Sequence, residues 1–326
     1  MTTLLLDAPG IRSTHLPADL ALQALLRQLS QHRYQHVTST PLTHARALAK
    51  LPKGNGRNLQ DVFGWSRPFR REELSGMYLD LLQAADGLEP LDDGWCRSRY
   101  RVSSLAGNLF LHSAFPTDAR DAVFLGPDSY RFADFVRVEL SDCPQRLRAR
   151  LVDIGTGAGI GAVVAGLLRP ELELTMTDIN PAALRLAGIN ARAAGIDVMS
   201  ALGDTLASVD NAFDIALANP PYICDAAARD YRDGGDMHGA RVAYDMADEV
   251  LDRLNPQGCF LLYTGSAIIG GHDPLREALD ALVRRKGATM RYREIDPDVF
   301  GEELETAAYR DVERIAVVGA VITKDV

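Results

Sequence analysis

The chain has 326 residues, 47% of them hydrophobic and 24% charged, which predicts a soluble, globular protein of about two domains with a sizeable core. No apolar run reaches the roughly 18 residues of a membrane span, the start lacks a basic signal head, and the spacing of Cys96, Cys143, Cys224 and Cys259 fits neither a disulfide framework nor a CxxC metal site, so a cytoplasmic protein is expected. The formal net charge of -9 is uneven: residues 1–150 carry 19 Lys and Arg against 16 Asp and Glu, whereas residues 151–326 carry 16 against 28, and the acidic half argues against broad binding to a phosphate backbone.

From Pro17 to about Tyr34, Leu20, Leu22, Leu25, Leu26 and Leu29 recur at helical spacing behind Pro17-Ala18-Asp19. His32 and His36 stand four apart, but with no acid or cysteine beside them no metal is expected. A second helix is predicted from Leu42 to Leu51, closed by Pro52 and a Gly54-Asn55-Gly56 loop, and a third from Arg71 to Ala85. Beyond Gly94 the period changes to two: Arg97, Arg99 and Arg101 alternate with Ser98, Tyr100 and Val102, as in a strand for which Leu109–Phe115 is the expected partner. Three guanidiniums on one face suit phosphates or acidic side chains of a partner, and a merely solvated face is the alternative. After a helical stretch from Phe132 to Leu140, the domain boundary is drawn at 122/123. Residues 1–122 form a mainly helical domain with a small β element, expected to recognise substrate, and residues 123–326 a cofactor-binding domain.

From Leu151 onward, strands alternate with glycine-rich turns and helices, the order of a doubly wound parallel sheet. Leu151–Ile154 is the first strand and Gly155–Gly161 the turn. Glu171–Thr177 is the second strand, ending at Asp178, and Pro181 opens the next helix, which Gly195 stops. Strands are predicted near Val198–Leu202 and Phe213–Ala218. A polar stretch at 224–241 is a candidate lid, followed by a helix from Val242 to Leu254, a strand at Cys259–Thr264, a helix at Leu275–Lys286, and strands at Thr289–Ile295 and Arg314–Ile322.

Two stretches carry chemistry. Asn219-Pro220-Pro221-Tyr222 sits at a strand's carboxyl end, where open α/β sheets bind ligands. The Asn219 side chain and the Pro220 carbonyl can both accept hydrogen bonds from one amino group, and Tyr222 can stack on the planar group that bears it. The glycine turn fits a loose dinucleotide fingerprint, but acids at Asp153, Asp178 and Asp204, each at a strand end, suit a sulfonium cofactor better than a pyrophosphate. Asp178 is placed for ribose hydroxyls and Asp204 for an adenine amine.

In Asp153-Ile154-Gly155-Thr156-Gly157, Asp178, Asp204 and Asn219-Pro220-Pro221-Tyr222, residues 123–326 resemble the class I S-adenosylmethionine-dependent methyltransferases. The likeness is to the amino-methyltransferase branch that includes the "small domain" and release-factor glutamine methyltransferases. It implies a seven-stranded, doubly wound Rossmann-like α/β sheet. It also implies cofactor contacts from Asp153, Gly155, Thr156, Gly157, Asp178, Ile179, Asp204 and Asn219, and a target nitrogen held by Asn219, Pro220 and Tyr222. Substrate contacts are expected from Pro221, Tyr222, Tyr130, Arg97, Arg99 and Arg101. Gly126-Pro127-Asp128-Ser129-Tyr130 replaces the arginine-proline-acid segment of those enzymes, and Tyr263-Thr264-Gly265-Ser266 replaces the glutamate after their fifth strand. A glutamine amide of a protein is the expected acceptor. Adenine in RNA or DNA, a small-molecule amine or amide, and a non-catalytic cofactor-binding module are the alternatives.

Overall fold

A computed structural model describes residues 17–51, 58–143, 145–204, 206–210, 212–225, 229 and 231–326. The expected Gly54-Asn55-Gly56 loop and the chain's first sixteen residues lie outside them. The N-terminal region comprises α1 (Pro17–Gln31), α2 (Pro41–Lys50), α3 (Leu59–Phe63), β1 (Phe69–Arg70), α4 (Gly76–Ala84), β2 (Leu88–Pro90), β3 (Trp95–Ser98) and a hairpin of β4 (Tyr100–Leu105) with β5 (Asn108–Ser113). Then follow α5 (Pro127–Glu139), β6 (Arg150–Ile154), α6 (Ile160–Leu168), β7 (Glu173–Asp178), α7 (Pro181–Ala193), β8 (Met199–Leu202) and β9 (Phe213–Ala218). The chain finishes with α8 (Arg241–Arg253), β10 (Leu254–Ile268), α9 (Pro274–Lys286), β11 (Ala288–Asp296) and β12 (Arg314–Lys324).

The seven-stranded sheet runs β11-β12-β10-β9-β6-β7-β8, with β12 antiparallel to both neighbours and the other pairs parallel. Strand order reverses between β6 and β9, the position where such sheets open a crevice. Ile154 and Ala218 are register partners there, so Gly155 and Asn219 leave the sheet side by side. Every residue of β9 is buried, as its unbroken apolar run requires of a central parallel strand. The helices start and stop where their sequences dictate: the Asn180 side chain accepts from Ala182 N ahead of Pro181, Asp273 accepts from Arg276 N ahead of Pro274, and Gly287 ends α9 at a φ of 62°.

One buried cluster joins Leu22, Leu25, Phe63 and Phe110 of the N-terminal region to Phe135, Leu151, Val163 and Ile189, so this region packs against the same face of the sheet as α5, α6 and α7. The opposite face buries Phe213, Val250, Phe260 and Leu279. Arg185 of α7 pairs with Asp19 of α1 at 2.7 Å. Deeper in, Asn190 of α7 meets Leu111 of β5: its Oδ1 accepts from Leu111 N (2.8 Å) and its Nδ2 donates to Leu111 O (3.0 Å).

Three local expectations change. The strand expected through Arg97, Arg99 and Arg101 is two strands, β3 and β4, in different sheets. Ser98 Oγ accepts from Tyr100 N and donates to Tyr100 O, which turns the chain at Arg99 and breaks the alternation. The helix expected from Arg71 begins only at Gly76, because Glu73 reaches back to Arg70 N (2.7 Å) and closes a short 3-10 turn first. Helix α3, capped by the Asn58 side chain on Asp61 N, was not foreseen.

Candidate active site

At the carboxyl edge of the sheet, over the β6/β9 crevice, lies a cavity of about 460 Å³. Its floor is the turn after β6. Gly155 and Gly157 sit at φ 62° and 55° with open space where a Cβ would point, so only glycine is unstrained there and backbone can approach a ligand closely. The turn is braced from β7: Thr156 N donates to Thr177 O, and Gly157 N to Asp178 Oδ2, both at 2.9 Å. Asp178 Oδ1 accepts from Asn180 N, and the carboxylate forms part of the wall. Thr156, Ile179, Asp204, Asn219 and Pro221 also line the cavity. Ile179 is 53% exposed, an apolar platform at the mouth, and Asp204 is exposed at the end of β8.

Asn219 is half-buried in this wall, and among the described residues neither its side chain nor the Pro220 carbonyl takes a hydrogen bond. The Asn219 amide, one acceptor and two donors, is thus open to a ligand in the cavity.

Other expected site residues lie elsewhere. Asp153 does not line the cavity: it is 1% exposed behind the turn, accepting from Thr156 Oγ1 and from Ala162 N (2.9 Å), and burial pushes its carboxyl up to about 6. A Cβ on Gly161 would lie 2.5 Å from its Oδ1, so α6 packs directly on it. It braces the turn from behind, and the carboxylates that line the cavity are Asp178, Asp204 and Asp233. Pro220 is buried outside the lining. Tyr222 is 7% exposed, its ring against Gly265 and edge-on to Phe300 at 5.8 Å, and its hydroxyl has no partner among the described residues. It is packed core rather than a stacking platform, because Gly265 leaves a slot that the ring fills.

Tyr130 joins the two regions, its hydroxyl accepting from Thr38 N at 3.1 Å, and it too is absent from the cavity. Arg101 is 3% exposed and donates to Gly64 O (2.9 Å); burial pulls it down to about 10. It offers no surface charge. Arg97 is committed to Glu89 at 2.9 Å. Arg99 is exposed, in a separate groove of about 370 Å³ bordered by Arg185 and Phe115, and makes no side-chain pair among the described residues.

The cavity's cover was not specified by the motifs. Tyr231 and Asp233, from the stretch expected to be a lid, and Phe124, from the segment before α5, line it. The Phe124 and Tyr231 rings stack at 5.5 Å and 11°, and Tyr231 Oη donates to Thr117 O (2.8 Å). Arg229 pairs with Asp225, whose carboxyl the Arg229 hydrogen bonds lower to about 2. The ends of this stretch meet on one residue: Cys224 N donates to Tyr309 Oη (2.9 Å), which donates to His238 O (3.1 Å). The one available signal was an aromatic residue isolated in a polar loop.

Residues 136–264 match the methyltransferase small domain family. The chain is 32% identical over 167 residues to the release factor glutamine methyltransferase of Deinococcus radiodurans, covering 50% of this chain and 59% of that protein. It is 29% identical over 158 residues to the enzyme of the same name from Koribacter versatilis, covering 44% and 55%. It is also 30% identical over 83 residues to the ribosomal RNA small subunit methyltransferase C of Serratia proteamaculans, covering 26% and 24%. The chain thus spans less than three fifths of the length of these relatives. Among the described residues, no helix is long and apolar enough to cross a membrane. The strand order, the glycine turn and its bracing acid thus fall within a stretch that is similar to the methyltransferase small domain and to part of these methyltransferases.

Proposed function

We propose that the chain transfers a methyl group from S-adenosylmethionine to a planar NH2 nitrogen, and that this nitrogen is a glutamine side-chain amide of a protein. The observation that carries the reading is Asn219, an amide without a hydrogen bond among the described residues, in the cavity wall beside the glycine turn. The pocket fits the cofactor on its own chemistry. A cavity of about 460 Å³ is in the usual range for such ligands. The open backbone at Gly155 and Gly157 suits the amino-acid part, Asp178 the ribose hydroxyls, Ile179 the face of the base and Asp204 its amine.

When bound, the cofactor supplies an electrophilic methyl on a positively charged sulfur. Asn219 Oδ1 accepts an N–H of the acceptor amide, while Pro220, buried outside the lining, fixes the backbone between Asn219 and Pro221. An amide nitrogen is a poor nucleophile because its lone pair is delocalised, and an acceptor at Asn219 would favour the pyramidal form and the positive charge that develops as the N–C bond forms and the C–S bond breaks. The cationic nitrogen so formed would then lose one N–H proton to solvent, because the Asn219 carbonyl is too weak a base to keep it, leaving a neutral N-methyl amide and the thioether product. The stacked Phe124 and Tyr231 cover the cavity and keep water from the sulfonium.

A protein acceptor is favoured because two of the three arginines that suggested nucleic acid are withdrawn, Arg101 into the core and Arg97 onto Glu89. The similarity to a ribosomal RNA enzyme keeps an adenine amine as the second reading. Lysate incubated with the chain and radiolabelled S-adenosylmethionine separates them: the first reading expects label in protein, the second in RNA. A log-log salt slope of about -0.7 to -0.9 per phosphate would mark an RNA acceptor. Asn219→Ala should lower transfer by about 10²- to 10³-fold, the usual size for removing one such group, with S-adenosylhomocysteine binding unchanged by calorimetry. Full turnover in that variant sinks the assignment.

A further inference from the structure

We propose that Asn190 is a positioning residue through which the N-terminal hairpin sets the cofactor turn, making cofactor affinity depend on how that hairpin is docked. The inference rests on the reading of the turn as the cofactor site and goes beyond it.

Asn190 is 1% exposed in the last turn of α7, where asparagine is a weak helix former. All of its side-chain hydrogen-bonding groups are engaged. Oδ1 accepts from Leu111 N (2.8 Å), while Nδ2 donates to both Leu111 O (3.0 Å) and Ala158 O (2.9 Å). Leu111 belongs to β5, the outer strand of a two-stranded sheet, and presents its N–H and C=O to Asn190 as it would to a neighbouring strand. Ala158 stands inside the turn, between Gly157 and Gly159, and lines the cavity. One amide plane therefore holds the edge of the hairpin on one side and the backbone of the cofactor turn on the other.

The mounting is stiff. A Cβ on Gly159 would lie 3.1 Å from Ala187 Cα, so the turn rests on the α7 backbone one helical turn before Asn190, and Gly157 is tied to Asp178. Leu111 does not line the cavity. A displacement of β5 rotates the Asn190 amide and with it the Ala158 carbonyl, which changes the turn's backbone without touching the ligand. By linkage the effect runs both ways, and a bound cofactor holds the hairpin in place. A partner that grips the N-terminal region thereby tunes the cofactor site.

Asn190→Asp tests this: it keeps an acceptor for Leu111 N and removes both donors. Calorimetric titration with S-adenosylhomocysteine should show about tenfold weaker binding, in the ordinary range of coupling between sites. Hydrogen exchange on the unaltered chain gives an independent reading that survives if the variant fails to fold. S-adenosylhomocysteine should slow exchange at Leu111 more than at Leu25 of α1, which reports general stabilisation, and in a folded Asn190→Asp that excess should vanish while protection at Gly157 remains. Affinity within twofold of the unaltered chain in a folded variant, or equal slowing at Leu111 and Leu25, overturns the proposal. Failure of the unaltered chain to bind S-adenosylhomocysteine at all removes the cofactor reading itself.

Discussion

The carboxyl edge of the sheet and the N-terminal region are both rich in polar side chains, and they treat them in opposite ways. At the sheet edge, Asn219 and Asp204 face open space. In the N-terminal region, Arg101, His36, His44 and His112 are buried, and Arg101 Nη2 and His36 Nε2 have no partner among the described residues. An unengaged group beside a cavity is available to a ligand, whereas one sealed in the core only raises the cost of its charged form. Asp153 and Tyr222 follow the second pattern although they adjoin the first region.

That contrast can be broken most forcefully at Gly265. A Cβ there would lie 2.1 Å from Tyr222 Cδ2, so Gly265→Ala should destabilise by about 1–3 kcal/mol or more and lower Tm by several degrees. Tyr222→Phe removes only a buried hydroxyl that makes no hydrogen bond among the described residues and should leave Tm unchanged or slightly raised, with methyl transfer intact. Lost turnover in a fully stable Tyr222→Phe would restore Tyr222 to the site.

Acid should separate the two regions next. Burial, with the nearby Arg101 charge, lowers His36 and His44 to about 4, so the stability that they contribute is complete above their ordinary value near 6.5 and is lost as pH falls through 4. Asp153 behaves oppositely: raised to about 6, it contributes most below the ordinary carboxylate range and loses that contribution as pH rises through 6. Trp65, whose ring lies 5.1 Å from His36 and 5.2 Å from His44, reports the first region by fluorescence. Between pH 6.5 and 4 its emission should shift while hydrogen exchange in the 155–161 turn stays slow. A simultaneous loss of both would show that the regions do not differ in this way.

The smallest effect is expected at Arg99. It is exposed and unpaired among the described residues, so Arg99→Ala should change stability by no more than about 0.5 kcal/mol in denaturant titration. Arg97→Ala gives up the pair with Glu89, at most about 1 kcal/mol for a partly exposed bridge. If Arg99 meets an acidic acceptor, its loss appears as a raised KM with kcat unchanged.

The sheet was legible in the sequence because buried parallel strands are short apolar runs bounded by glycine, proline and acids. Phe213–Ala218 and Leu151–Ile154 could be placed from that pattern almost to the residue. Asp178, Asp204 and Asn219 are the last residue of a strand or lie within two residues of its end, and strand ends are what periodicity locates. Which way a side chain turns there is decided by what packs behind it. Asp153 is covered by α6 at Gly161, and Tyr222 enters the slot left by Gly265, contacts that join residues on separate elements. Alternation misled at Arg101 for a related reason: period two identifies a face but not whether water or α3 lies over it, and here the Gly64 carbonyl after α3 receives the guanidinium. Phe124 and Tyr231 lie 107 positions apart in the sequence and meet only in the folded chain.

Tyr309 carries one more consequence. By accepting from Cys224 N and donating to His238 O, it joins the two ends of the cavity's cover through a residue that belongs to neither. The entropy of drawing those ends together is met once, during folding, rather than at each encounter with a ligand. A ligand that reaches the cavity past Phe124 and Tyr231 must part their stacked rings, a motion of the kind that runs on microsecond-to-millisecond timescales.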